Sequence, residues 1–189
     1  MLSISGLLCS LLMFASFTSI QQKVSALNPI SVDGVRLIDG VTGDRFFAHG
    51  SGFDYAVDDD SEHFWRPALD LLLSTVPNIN ALRLYEVDPL KSYQKFIDYV
   101  NAKNVYIVIP LTPSGDNPNW GFCAMAADSS PDFPKKTTDT TCYPSCLLEY
   151  GQRIMGIFSQ TPATLSYMVG NEIIDKESRW AAAPCIKVS

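Results

Sequence analysis

From residue 27 onward the chain alternates short apolar runs of strand type with segments whose apolar residues recur at helical spacing. Val35 to Ile38 and Arg45 to Ala48 flank Asp39-Gly40-Val41-Thr42-Gly43-Asp44, and this turn-rich interval predicts a hairpin. The second arm runs on into Gly50-Ser51-Gly52-Phe53-Asp54-Tyr55 and is expected to become the first core strand. The acidic loop Asp58 to Glu62 suits the positive N-terminal end of a following helix and reads as a solvated cap. Phe64, Trp65, Ala68, Leu69, Leu71, Leu72 and Leu73 give that helix its apolar stripe, and Pro77 stops it. Ala81 to Tyr85 predicts a strand, and Lys91 to Lys103 a helix with Tyr93, Phe96, Ile97 and Val100 on one face.

Val105 to Ile109 is an unbroken β-branched and aromatic run, as in a strand buried on both faces. A loop from Pro113 to Pro144, rich in Pro, Asp and Ser, precedes a helix over Cys146 to Ser159 and a fourth strand over Leu165 to Val169. Four β-then-α units in series predict a parallel sheet covered by helices. A doubly wound sheet would commonly carry a phosphate loop after its first strand. Gly50-Ser51-Gly52 lacks the third glycine of that pattern. The expected class is therefore α/β, a (β/α)8 barrel of the TIM type. Such a barrel takes about 250 residues, so a chain of 189 holds only about its first four units.

The N-terminal segment changes that count. Gly6 to Ile20 is an apolar run too short for a membrane span of about 20 residues. Val24 and Ala26 are the small residues that a signal peptidase selects, so residues 1–26 read as a secretory leader and residues 27–189 as one partial barrel domain. Cys9 falls in the leader, which leaves Cys123, Cys142, Cys146 and Cys185. An even set in an exported chain favours disulfides, whose pairing the sequence leaves open. With only His49 and His63, neither at ligand spacing, no metal site or cofactor is expected. Hydrophobic residues at 47% supply a core, and the net charge of −6 argues against nucleic acid or an anionic membrane surface as partner.

In a barrel of this type the chemistry stands at the C-terminal ends of the strands. Those ends read Asp54-Tyr55, then Tyr85-Glu86-Val87-Asp88, then Pro110 to Pro113, then Gly170-Asn171-Glu172. They describe a cleft of carboxylates, amides and aromatics suited to neutral polyhydroxylated ligands. Asn171-Glu172 is the sharpest element. A Glu half-buried among aromatics has the raised pKa of a general acid, and an adjacent amide can reach a sugar hydroxyl.

Asp54-Tyr55, Leu82-Arg83-Leu84-Tyr85 with Asp88, Val105 to Pro113 and Val169-Gly170-Asn171-Glu172, in this order and spacing, resemble glycoside hydrolase family 72. These are the β-1,3-glucanosyltransferases of fungal-type cell walls. The opening Pro29 to Phe47 is similar to that family's start, and the likeness spans about residues 29–175. The resemblance implies that Glu172 is the acid/base and Asn171 the amide beside it. It places Tyr85 against glucan, with Tyr55 and Asp88 at further substrate-binding positions. It implies a retaining transfer in which Glu172 protonates the leaving oxygen, then activates the 3-hydroxyl of an acceptor β-1,3-glucan. It also implies a secreted, cell-surface or cell-wall location. A membrane is involved only through a possible lipid anchor in a longer product.

This sequence departs from the family where Pro110-Leu111-Thr112-Pro113 replaces an Asp-Leu-Asn-Thr-Pro string, and where Glu86 stands in place of a small residue. The family's nucleophile belongs near a seventh strand, so that carboxylate is expected to be absent from this chain. Two other readings fit the same residues: a non-catalytic secreted β-glucan-binding fragment, and a retaining glycoside hydrolase of the same barrel clan.

Overall fold

A computed structural model describes residues 27–112 and 145–169. The chain opens with a small antiparallel sheet of three strands: β1 (Ile30–Asp33), β2 (Arg36–Asp39) and β3 (Arg45–Phe46). The expected hairpin is the β2–β3 pair. Its turn is closed by the Asp39 carboxylate, which accepts the N–H groups of Val41 and Thr42 at 2.9 Å each. Gly43 completes the turn with a φ of +75°, a conformation that glycine adopts at no steric cost.

The hairpin's second arm does not become the first core strand. β3 ends at Phe46, and β4 (Gly50–Phe53) begins the second sheet. The break has a physical cause. Asn80, just before β5, accepts the His49 N–H at 2.7 Å and donates to the Phe47 carbonyl at 2.9 Å. The linking residues are thereby pinned to another part of the chain instead of to the sheet ladder.

The second sheet is parallel, in the order β4, β5 (Ala81–Leu84), β6 (Tyr106–Pro110) and β7 (Thr164–Met168). Spatial order equals chain order, so the sheet progresses in one direction. That is the winding of a barrel, whereas a doubly wound sheet reverses at a switch point. The helices are α1 (Glu62–Thr75), α2 (Gln94–Lys103) and α3 (Ser145–Phe158). α1 starts two residues earlier than its apolar stripe and accommodates Pro67 in its second turn. α2 starts at Gln94 instead of Lys91, and it ends on Asn104 in the left-handed conformation.

The core lies between sheet and helices. Leu82, Leu84, Ile107 and Ile109 from the strands meet Trp65 and Leu69 of α1, Phe96 and Val100 of α2, and Ile154 and Phe158 of α3. The Trp65 ring stands perpendicular to Phe96 at 5.3 Å, and its indole N–H donates to the Asp58 carbonyl at 3.0 Å. Residues on the opposite face of the sheet share a register: Gly52 pairs with Arg83, Arg83 with Val108, and Val108 with Ser166. This row of small and polar side chains runs across one layer of the barrel interior.

The small sheet packs at the N-terminal ends of the parallel strands. Tyr106, the first residue of β6, meets Phe46 edge-on at 5.0 Å and donates its hydroxyl to the Asn28 carbonyl at 2.7 Å. The C-terminal ends are thus left for the site.

Candidate functional site

The C-terminal ends of β4 and β5 enclose a cleft of about 240 Å³. Asp54 and Tyr55 line it directly after β4, and Glu86 and Asp88 directly after β5. Ala56, Val57, Asp58, Lys91 and Tyr93 complete the wall. Tyr55 is half exposed, with its ring stacked on Phe53 at 4.9 Å and 29°. One face of that ring is therefore held by the core, and the residue presents the rest to the opening.

The carboxylates differ in what they are free to do. Asp58 is buried and accepts the N–H groups of Asp60 and Ser61 and the Ser61 hydroxyl, each at 3.1 Å. It caps the 3-10 turn over Asp59–Ser61 that leads into α1, so the capping role expected for the acidic loop falls on this residue. Asp88 folds its own loop, accepting the Leu90 N–H at 2.9 Å. Lys91 reaches Asp60 at 2.9 Å, and that hydrogen bond holds the Lys91 pKa above and the Asp60 pKa below their ordinary values. The cation at the rim is therefore engaged with an acid of the Asp58–Glu62 loop.

Two buried phenols hold the β5 loop from beneath. The Tyr93 hydroxyl accepts the Asp88 N–H at 2.7 Å and donates to the Asp88 carbonyl at 3.0 Å. The Tyr150 hydroxyl, from α3, donates to the Val87 carbonyl at 2.5 Å. Burial pushes both phenols well above the usual tyrosine range. They serve as neutral hydrogen-bonding groups, and nothing in their surroundings prepares them as bases.

Of the residues expected from the sequence, the structure brings Tyr55 and Asp88 into one cleft. Tyr85 follows β5 and lies toward β4, its ring against Gly52 and under the Arg83 guanidinium, 4.7 Å from the ring centroid. Asn171 and Glu172 lie outside the described residues, as do Cys123, Cys142 and Cys185; Cys146 is the second residue of α3, and its side chain is outside them too. β7 ends at Met168, close before Gly170-Asn171-Glu172. Nothing in the sequence marks Lys91, Tyr93 or Tyr150 as site residues. Tyr93 stands just before α2 and Tyr150 is buried on α3, where an aromatic reads as core, and only the fold reveals their hydroxyl contacts. Among the described residues no three His, Cys, Asp or Glu side chains are grouped to hold a metal ion.

A family model described as Glucanosyltransferase, of glycoside hydrolase 72, matches residues 19–189. The chain belongs to glycoside hydrolase family 72. Its similarity to individual members is lower but extensive. It is 23% identical over 176 residues to a 1,3-beta-glucanosyltransferase, gel2, of Aspergillus fumigatus, across 88% of this chain and 34% of that protein. It is 24% identical over 182 residues to the 1,3-beta-glucanosyltransferase PGA4 of Candida albicans, across 91% of this chain and 36% of that protein. The family 72 chain thus spans about a third of the length of the curated relatives it matches.

Among solved structures it is similar to Saccharomyces cerevisiae Gas2p in complex with laminaritriose and laminaritetraose. The TM-score is 0.61 at 20% identity, over 87% of this chain and 35% of that one. This likeness establishes the fold. The family 72 chain has the (β/α)8 barrel class, with part of the barrel present among the described residues.

Proposed function

We propose that this chain forms the first part of the catalytic cleft of a secreted or cell-surface β-1,3-glucanosyltransferase that remodels cell-wall β-1,3-glucan. The observation that carries the reading is the family match over residues 19–189, together with a cleft of carboxylates and tyrosines at the strand ends where that fold places its chemistry. The names of the relatives and the laminari-oligosaccharides held by Gas2p support the substrate class.

Glu172 is the proposed general acid/base, with Asn171 as the amide beside it. A second carboxylate, near the barrel's seventh strand, attacks the anomeric carbon, while Glu172 passes its proton to the leaving glycosidic oxygen. The glycosyl-enzyme bond forms as the glycosidic bond breaks. Glu172, now ionised, removes the proton from the 3-hydroxyl of an acceptor glucan. That oxygen displaces the enzyme carboxylate and yields a longer β-1,3-glucan. Tyr55, Tyr85 and Asp88 are the proposed substrate-binding residues on the β4 and β5 side.

The test is incubation of laminaripentaose with the protein carried through the part of the barrel that supplies the nucleophile, with mass spectrometry of products and calorimetry of binding. Elongated products that vanish in Glu172→Gln, with binding kept, are the expected result. Products only shorter than the substrate would make the protein a hydrolase, and binding without any product would make it a glucan-binding module. Absence of laminaripentaose binding would overturn the substrate class.

A further inference from the structure

The residue that decides where Tyr85 stands is on the neighbouring strand. A Cβ built on Gly52 would lie 2.7 Å from the Tyr85 hydroxyl oxygen, 2.9 Å from Cε2 and 3.2 Å from Cζ. The first two distances are shorter than any real Cβ contact. The ring edge and hydroxyl of Tyr85 therefore occupy the space that every other residue at position 52 would fill. The guanidinium of Arg83, on β5 two residues before Tyr85, lies over the same ring, 4.7 Å from its centroid. Tyr85 is thus fitted to a missing side chain on β4 and to a cation on β5.

We infer that Gly52 is a positioning residue, acting through Tyr85 on the orientation in which the cleft meets a glucan. The inference rests on the proposed role of Tyr85 as a glucan contact. Its physical content is a contrast within one strand. The neighbours that a Cβ on Gly50 would meet are the Ala81 carbonyl at 3.2 Å and the Ala81 Cβ at 3.4 Å, which belong to or sit on the backbone of β5 and cannot swing away. The atoms that crowd position 52 all belong to the free end of one side chain. A methyl group at Gly50 strains the sheet. A methyl group at Gly52 turns a tyrosine and leaves the sheet intact.

The full chain is compared as wild type, Gly50→Ala, Gly52→Ala, Tyr85→Ala and the Gly52→Ala/Tyr85→Ala double variant. The readouts are thermal melting, laminaripentaose binding and the NMR resonances of the Tyr85 ring. Gly52→Ala should move the Tyr85 resonances with little change in melting and weaken binding up to roughly tenfold, the scale of one lost aromatic contact. It should add nothing once Tyr85 is already Ala, because coupled residues are non-additive. Gly50→Ala should instead lower the melting temperature and leave the Tyr85 ring signals in place.

Unmoved Tyr85 resonances in Gly52→Ala overturn the inference, whatever the glucan result. So does an equal loss of binding when Gly52→Ala is made in the Tyr85→Ala background. If Tyr85→Ala binds like wild type while Gly52→Ala still moves the ring, what fails is the reading of Tyr85 as a glucan contact, and the proposed consequence for binding fails with it.

Discussion

The Tyr150 hydroxyl donates to the carbonyl of Val87 at 2.5 Å across 63 residues of sequence, tying α3 to the loop that carries Glu86 and Asp88. Val87 is buried, so no solvent is available to replace this donor. Tyr150→Phe keeps the ring's packing and removes the hydroxyl. Leaving a buried carbonyl unsatisfied costs about 1–3 kcal/mol, and that loss is expected in urea unfolding, with an unchanged denaturant slope. A variant as stable as wild type would show that the bond contributes nothing to holding the loop.

The same phenols set an alkaline limit. Burial raises the folded-state pKa of Tyr93 and Tyr150 above the ordinary value of 10.0. A group raised in this way gives stability that is fully present below pH 10 and is lost as the pH climbs above it, because the unfolded chain ionises first. Each such tyrosine should contribute a decline of about 1.4 kcal/mol per pH unit in that window. Stability measured by urea titration from pH 9 to pH 12 should fall steeply, with tyrosinate absorbance appearing together with unfolding. The slope should be shallower in Tyr150→Phe. Tyrosinate absorbance that rises smoothly in the folded protein would contradict the assignment.

What the sequence made legible was the part of the structure governed by local period. The unbroken run Val105 to Ile109 reads as a buried strand, and Phe96, Ile97 and Val100 recur as one helix face, so the order of strands and helices could be read directly. Contacts between distant residues were not legible. The chain leaves the hairpin at Phe47 because Asn80 holds it, and no pattern near Phe47 announces a partner more than 30 residues away. α2 starts late because the residues before it are engaged elsewhere: the Lys91 N–H goes to the Asp88 carbonyl, and the Ser92 carbonyl takes the Asp59 N–H. The candidate site divides in the same way. Tyr55 and Asp88 could be found by position at strand ends, whereas Gly52 matters only through the ring that β5 lays over it.

Asp59 offers a test of one such distant contact. Its carboxylate accepts the Lys95 N–H at 2.9 Å, in the first turn of α2, and the Ser92 hydroxyl at 2.5 Å. An acid from the loop before α1 therefore caps the next helix, at the end where the helix dipole favours negative charge. Asp59→Ala should cost about 1 kcal/mol, the usual value of a lost cap. Hydrogen exchange should speed up in the first turn of α2 and not along α1. Faster exchange at the start of α1 instead would mean that the acidic loop serves only its own helix.

Tyr55 provides the most direct test of the cleft as a sugar site. Its ring already packs on Phe53 at 4.9 Å, so part of its energy belongs to the fold and part is left for a ligand. A stability measurement and a binding measurement on the same variants separate the two. Tyr55→Phe keeps an aromatic face and should bind laminaripentaose nearly as wild type does. Tyr55→Ala removes a stacking surface of about 0.5–1.5 kcal/mol, so its dissociation constant should rise roughly two- to tenfold. If both variants bind as wild type, Tyr55 is only the outer layer of the Phe53 core, and the glucan must be held by groups farther round the barrel. If Tyr55→Phe alone already loses binding, the hydroxyl and not the ring face makes the contact, and the site recognises a sugar edge through hydrogen bonds.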